Sequence, residues 1–387
     1  MGVPRRVTRW NLPLGERAFG VDGEEVASSR CDRLPRYGAT VTRITGTAQK
    51  EAWDRQVLPP VEKVRPGLWS VPVPIPNNPL RYVLVYVLEL DDGVALVDAG
   101  WNTDSAWQAL LDGLVAAGGS IGDVRAVVVT HIHADHYGLA GRVREASGAW
   151  IGLHPADAKL LQARYVDTDD LVASMAHLLE LSGVPEDQRP DLATASLPIR
   201  NMVSMALPDR LLEDGEMVEL PGWDLRTIWT PGHSPGHVCL YSDRRRLLLS
   251  GDHVLPRITP NVSYHSQQHA DPLGDYLASL ERLRDVDAEE VLPAHEYRFA
   301  DLAGRVSELE EHHAERLAEI EAQLRRRPGS TAWELTLSLT WSRPWEEFPP
   351  FMQRAANGET LAHVVLLERQ GRIWQQEGVP ARYYLAE

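Results

Sequence analysis

The chain has 387 residues, 43% hydrophobic and 24% charged, proportions that exclude a disordered chain, a collagen-like repeat or a small disulfide scaffold. Its 39 basic and 55 acidic side chains leave a formal charge of −16, which repels phosphate backbones and anionic lipid unless a local basic patch overrides it. Cys31 and Cys239 lie far apart and outside any CxxC pattern, so neither a disulfide framework nor a cysteine zinc knuckle is available, and a reducing, cytoplasmic setting is expected.

The opening MGVPRRVTRW is basic but leads into no apolar run of signal-peptide length, and no stretch of ~18 apolar residues suits a membrane span. Residues 1–60 carry no sustained period apart from a short helix around Thr47 to Leu58, and read as an extension that packs on the main body or frays. From Leu68 the runs LWSVPVPI, YVLVYVLEL and VALVDAG are β-rich, with Asp91-Asp92-Gly93 turning between the last two. Residues 104–117 place Trp107, Leu110, Leu111 and Leu114 at helical spacing, and Gly118-Gly119 ends the run. RAVVVT is a buried strand, GLAGRVREA a helix and WIGLHPAD a strand leaving into a turn.

Residues 156–208 read as a mostly helical insertion, long enough to serve as a lid. Its methionines suit core packing, and it offers few cations to hold phosphate. Strands return as EMVEL, DLRTIWT, HVCLY and RLLLS, so the order suggests two αβ halves rather than one doubly wound sheet. Beyond Ala294, Leu302 to Leu324 lie on one helical face, and Arg325 to Gly329 end that helix. Thr331 to Glu334 has the form of a capping box, although TLSLTW also alternates like a strand. Asn357-Gly358 precedes the apolar helix ETLAHVVLLER, and RIWQQ with ARYYL reads as a closing hairpin. Helix, helix, helix and hairpin describe a winged-helix-like unit over 301–387, after a catalytic region over 61–300.

The chemistry is concentrated in His131-Ile132-His133-Ala134-Asp135-His136, directly after a strand. In a tight turn residues two apart point to one side, so His131 and His133 can bind one ion while Asp135 and His136 turn toward a second. Imidazole and carboxylate without thiolate suit Zn²⁺, with Fe and Mn as alternatives. Further candidates sit at strand ends: His233 in TPGHSPGH, Asp252 in SGDH and His295 in PAHE.

Together VDAG, HIHADH, TPGHSPGH, SGDH and PAHE resemble the metallo-β-lactamase fold superfamily, and especially its glyoxalase II-like hydrolases, over about residues 68–300. The resemblance implies an αβ/βα four-layer sandwich. It also implies that His131, His133 and His233 hold one metal, that Asp135, His136 and His295 hold the second, and that Asp252 bridges them. Asp98 of VDAG would orient a ligand imidazole, and His237 would support the site. The expected cofactor is two Zn²⁺, and the expected nucleophile is hydroxide held by them, with Asp135 and Asp252 as the catalytic carboxylates. His295-Glu296-Tyr297 is similar to glyoxalase II, whose tyrosine there contacts substrate, so Tyr297 joins Tyr264 and His265 as a substrate-contact candidate.

The same metal chemistry serves several substrates. A small-molecule ester, thioester or lactone is the leading expectation, with a β-lactam as one alternative. The C-terminal unit looks like the winged helix of lactamase-beta-2-like proteins, in which ribonuclease activity is known, so RNA hydrolysis is another. Against RNA, residues 301–387 hold ten arginines, no lysine and fourteen acids, a balance that suits packing or homodimerisation better than nucleic acid.

Overall fold

The computed structural model describes residues 43–387, so Cys31 and most of the N-terminal extension lie outside the described residues. In chain order the first half runs β1 (Arg43–Ile44), α1 (Thr47–Asp54), β2 (Glu62–Arg65), β3 (Leu68–Pro74), β4 (Tyr82–Leu90), β5 (Gly93–Val97), α2 (Asp104–Ala116), β6 (Val124–Val128), α3 (Ala134–Tyr137), α4 (Ala140–Ser147) and β7 (Trp150–Leu153). The insertion follows as α5 (Pro155–Ala158), α6 (Leu161–Tyr165), α7 (Asp169–Leu181), α8 (Arg189–Thr194) and a 3₁₀ turn at Leu197–Met202. The second half is β8 (Arg210–Leu211), β9 (Leu225–Trp229), β10 (Val238–Ser242), β11 (Leu247–Gly251), α9 (Pro272–Arg284), β12 (Glu290–Pro293) and β13 (Phe299–Ala300). The chain closes with α10 (Leu302–Arg326), α11 (Ala332–Ser338), α12 (Pro350–Arg369), β14 (Ile373–Gln376) and β15 (Arg382–Leu385).

Two sheets stack face to face. The first has the order β2-β3-β4-β5-β6-β7-β8 and the second β1-β13-β12-β11-β10-β9, with β14-β15 as a separate hairpin. Strand β4 shows why its sequence is apolar from Tyr82 to Leu88: side chains alternate between faces, and both faces are covered. Leu84, Tyr86 and Leu88 meet Leu240, Leu249 and Leu292 of the second sheet, whereas Val83, Val85 and Val87 join Leu110 and Leu114 of α2. On the other side of the second sheet, Leu248 and Val291 pack with Leu280 of α9 and Val306 and Leu309 of α10. The layers are therefore helix, sheet, sheet, helix, as expected for an αβ/βα sandwich.

Helices α10 to α12 share that last core, which continues through Leu317, Ile320, Leu335 and Leu367 to Ile373 and Tyr383 of the hairpin. The insertion builds a smaller cluster from Met175, Leu179, Val184 and Leu192 against Trp333 of α11. At the N-terminal side, Gln49 of α1 is buried and links to Ser70 Oγ at 3.0 Å while accepting the Arg298 N–H, so α1 packs on the sheets. No helix among the described residues is long and apolar enough to cross a membrane.

Three sequence expectations are corrected. EMVEL forms no strand beyond a single bridge between Met217 and Arg226: residues 215–218 bond to Leu225 and Thr227 of β9, but the chain then turns at Pro221-Gly222 before a ladder can extend. TLSLTW does not alternate, since the Thr331–Glu334 capping box forms and carries α11 through Ser338. Asn357-Gly358 does not precede a helix but lies inside α12, which starts after Pro349. Tertiary contacts override propensity there: buried Asn357 donates to Ser182 Oγ at 3.2 Å, and a Cβ on Gly358 would stand 2.9 Å from Ser263.

Candidate metal centre

The donors come from the ends of strands. His131 leaves β6 and His133 caps α3; His233 follows β9, Asp252 follows β11 and His295 follows β12. The bend before His233 needs Gly232, whose φ of +135° is outside the range L side chains favour and whose Cβ would collide with Tyr276 at 2.4 Å.

Three overlapping donor groups converge: His131, His133 and His233; His131, His136 and Asp252; Asp135, His136 and His295. Within each, the donor atoms lie within 4.8 Å of one another. Asp252 is central, with Oδ2 3.5 Å from Nε2 of both His136 and His233, and Oδ1 3.3 Å from His295 Nε2. Asp135 Oδ2 stands 3.4 Å from His295 Nε2.

The outer nitrogens are fixed by the protein. His136 Nδ1 donates to Asp98 Oδ2 at 2.8 Å, His233 Nδ1 to the Asn261 carbonyl at 2.8 Å, and His295 Nδ1 to the Tyr82 carbonyl at 2.8 Å. Asp98 itself is held by the Thr130 N–H at 2.8 Å and adopts φ of +64°. His237 Nε2 accepts the backbone N–H of Asp252 at 3.1 Å while its Nδ1 meets Thr230 Oγ1 at 2.8 Å, so it supports Asp252 rather than joining the donors.

What remains is a set of buried atoms without hydrogen-bond partners: Nε2 of His136, His233 and His295, and Oδ1 of Asp252. Buried polar atoms are ordinarily paired, so this convergence fits metal ions and little else. The electrostatics agree. Burial opposes charging His295, but Asp252 and Asp135 outweigh it and push the imidazole up to about 10. His136 is likewise raised, with burial outweighed by Asp252, Asp98 and Asp135. Burial disfavours charge on Asp252 too, yet His295 and His136 hold its carboxyl well below the usual range. Two candidate clusters in this arrangement support a binuclear site.

A cavity of about 260 Å³ opens beside His133 and Asp135, walled by Leu171, Val172, Met175, Leu197 and Ile199 and reached by Arg164, Arg200 and Arg354. An adjoining lobe brings His233, Ser263 and Tyr264 together with Ala355 and Gly358 of α12. Tyr264 and His265 therefore line the cavity, and Met175 serves both the insertion core and the wall. Tyr297 does not: it is buried between the sheets, with the Lys50 ammonium 5.6 Å from its ring, because the chain after His295 turns back into the core. The expectation that the insertion brings few cations is also corrected, since Arg164 and Arg200 come from it. Elsewhere, His253 is buried against Tyr276, His269 pairs with Asp275 at 2.7 Å, His154 stacks on Trp229, and Cys239 packs in the core as a small residue.

Sequence reading missed Asp157. Its Oδ2 accepts the Ile132 N–H and the Ser234 hydroxyl, both at 2.8 Å, and its Oδ1 accepts the Gly236 N–H at 2.7 Å. The only local signal was an Asp just past a strand, in HPAD.

A four-layer αβ/βα sandwich with clustered His and Asp donors at its strand ends defines a metal-dependent hydrolase. The chain belongs to the Metallo-beta-lactamase superfamily, whose family model matches residues 78–295. Among curated relatives it is 27% identical over 302 residues to "Probable metallo-hydrolase YqjP" of Bacillus subtilis, covering 75% of this chain and 89% of that protein. Among solved structures it is similar to a metallo-beta-lactamase family protein from Thermus thermophilus, at 34% identity and a TM-score of 0.72, covering 84% of this chain and 100% of the other. A beta-lactamase domain protein from Burkholderia ambifaria gives 25% identity and a TM-score of 0.72, covering 89% and 98%. These shares exceed the stretch matched by the family model, so the likeness extends beyond the core that carries the motifs.

Proposed function

We propose that the protein is a binuclear metal-dependent hydrolase of small acyl substrates, cleaving an ester, thioester or lactone. The observation that carries this reading is an acyl-sized cavity, walled largely by apolar side chains, that opens onto the donor cluster through His133 and Asp135, with His233 in its adjoining lobe. His131, His133 and His233 would hold one ion and Asp135, His136 and His295 the other, with Asp252 reaching both. Bound dications, Zn²⁺ by the chemistry of the donor set, would supply Lewis acidity and bring the pKa of water toward ~7.

The chain's own side chains do the rest. Asp98 fixes the ring of His136, and His237 fixes the backbone of Asp252. Asp252 Oδ1 and Asp135 Oδ2 both face His295 within the cluster, where they would orient an attacking water held there. The wall of Leu171, Val172 and Leu197 excludes water around an acyl chain, and Tyr264 and His265 contact the substrate.

Finer assignments rest on the same reading. We read α10, α11, α12 and the hairpin as a winged-helix-like unit whose α12 lends residues to the cavity wall. Its exposed residues Leu337, Phe351 and Trp374 leave room for a homodimer contact. The buried thiol of Cys239 suits a reducing cytoplasm. The test is metal analysis of purified protein followed by turnover of matched thioesters, lactones, a nitrocefin-type lactam, bis(p-nitrophenyl) phosphate and RNA. Acyl substrates should dominate, and a phosphodiester turned over far more efficiently than every acyl substrate would replace this reading with a nuclease.

A further inference from the structure

Two arginines in the cavity wall have no counter-charge. Arg164 ends the short helix α6, and Arg354 lies in the second turn of α12, 190 residues further along the chain. Both line each of the two lobes of the cavity, together with His133 and His265. Arg164 Nη1 donates to Gln267 Oε1 at 3.2 Å, and Arg354 Nη2 donates to Ser196 Oγ. Both partners are neutral, and among the described residues no carboxylate forms an ion pair with either guanidinium. Asp135 lines the same cavity but faces His295 at 3.4 Å within the donor cluster, and Asp157 is engaged by three hydrogen bonds of its own.

Both side chains are half-buried, and even partial burial of an unpaired charge is costly, the more so with a second like charge in the same wall. Burial, with Arg164 adding to it, brings Arg354 down to about 10, which still leaves it charged at neutral pH. A guanidinium carries five donors, and one hydrogen bond to a neutral side chain orients it while the remaining donors stay available. Two guanidinia held this way, lining the same two lobes and close enough for Arg164 to act on Arg354, offer the paired donors that carboxylate and phosphate oxygens accept.

We propose that Arg164 and Arg354 form an anion subsite, so that the substrate is an acyl compound carrying a carboxylate or phosphate group that sits against these two side chains while its acyl carbon lies at the His and Asp cluster. This rests on the acyl-hydrolase reading and sharpens it by naming the substrate's charge. The subsite is assembled from the insertion and the C-terminal helix, so neither element alone can build it. It also gives α12 a role in substrate selection that its acidic surroundings do not suggest.

The experiment is a charge series on the metal-loaded full-length protein: thioesters of equal chain length ending in methyl, in carboxylate or in a phosphate monoester, assayed in wild type, Arg164→Gln, Arg354→Lys and Arg354→Gln. Wild type should favour an anionic substrate over the neutral one by at least about tenfold in kcat/KM, expressed mainly in KM, because a charge-assisted hydrogen bond contributes on that order. Each glutamine substitution should cut that preference by roughly tenfold or more, and Arg354→Lys should cut it less. The better of the carboxylate and the phosphate identifies the anion. Melting midpoints of the variants separate lost folding from lost recognition, and Arg164→Gln, at the less enclosed site, keeps the test intact if Arg354→Gln fails to fold. Equal turnover of neutral and anionic thioesters in wild type, or a preference that survives both glutamine substitutions, overturns the subsite and leaves the acyl-hydrolase reading standing. Failure of all thioesters beside efficient phosphodiester cleavage overturns both.

Discussion

Asp157 and Gly236 are 79 residues apart in sequence, yet Asp157 Oδ1 accepts the Gly236 N–H at 2.7 Å. The other oxygen of the same carboxylate takes the N–H of Ile132, which lies between His131 and His133, and the hydroxyl of Ser234, next to His233. One buried side chain therefore fixes the spacing between the two loops that carry the first donor group.

Replacing Asp157 with alanine leaves these three donors unpaired in the interior, at about 1–3 kcal/mol each before relaxation. Asp157→Ala should thus lose about 3 kcal/mol or more in urea unfolding. It should also bind metal more weakly through His131, His133 and His233 than through the Asp135 group. Competition with a chelator, run on wild type and variant, measures the second effect. A loss of stability with both metal affinities intact would show that Asp157 braces the fold without tuning the site.

The central place of Asp252 gives a second prediction. It stands within 3.5 Å of donor atoms from both groups, so Asp252→Ala removes a contact that each would share. Reconstituted wild type should hold about two ions per chain, and the variant should fall to about one or fewer with activity reduced at least a hundredfold. Elemental analysis of folded protein decides the matter, and two tightly held ions in Asp252→Ala would count against a shared ligand.

Metal binding should release protons. In the metal-free protein His295 is raised to about 10 and His136 is also raised, so both are charged at neutral pH. A raised histidine stabilises the fold fully below its unfolded value near 6.5 and loses that contribution as pH climbs through the folded value. The metal-free protein should accordingly lose stability as pH rises from about 6.5 towards 10. An incoming dication must displace these protons, so metal affinity should increase over the same range. Calorimetry in two buffers of different ionisation enthalpy, at pH 7, should report release of about one proton or more per chain. Binding without proton release would mean that the imidazoles are already neutral.

Much of the site was legible because its donors follow apolar strands in short motifs. His131, His133, Asp135 and His136 fall within six residues, and His233, Asp252 and His295 each mark a strand end. The layer order was legible from the same source, since β4 is apolar on both faces and α2 on one. What sequence could not show depends on distant partners. Arg164 and Arg354 share a wall only after the insertion and α12 fold toward each other, and the bonds of Asp157 reach residues 25 to 79 positions away. Tyr297 misled because the resemblance fixed its place in the motif, whereas the direction of its ring depends on the positive φ of Glu296 just before it.

Gly358 provides a test in which two physical effects have opposite signs. It lies inside α12, where glycine is about 1 kcal/mol worse than alanine on helix propensity alone. Propensity therefore predicts that Gly358→Ala stabilises the protein. Packing predicts the reverse, because the new Cβ would stand 2.9 Å from both Cβ and Oγ of Ser263 and must push that segment away. Overpacking of this kind costs about 1–3 kcal/mol, enough to cancel or exceed the propensity gain. The displaced segment also carries Asn261, whose carbonyl accepts from His233 Nδ1, and His265 in the cavity wall. Gly358→Ala should therefore melt at or below the wild-type temperature, raise KM for acyl substrates and weaken metal held through His233. A variant that melts higher than wild type with unchanged KM would show that α12 has room to shift without disturbing the cavity.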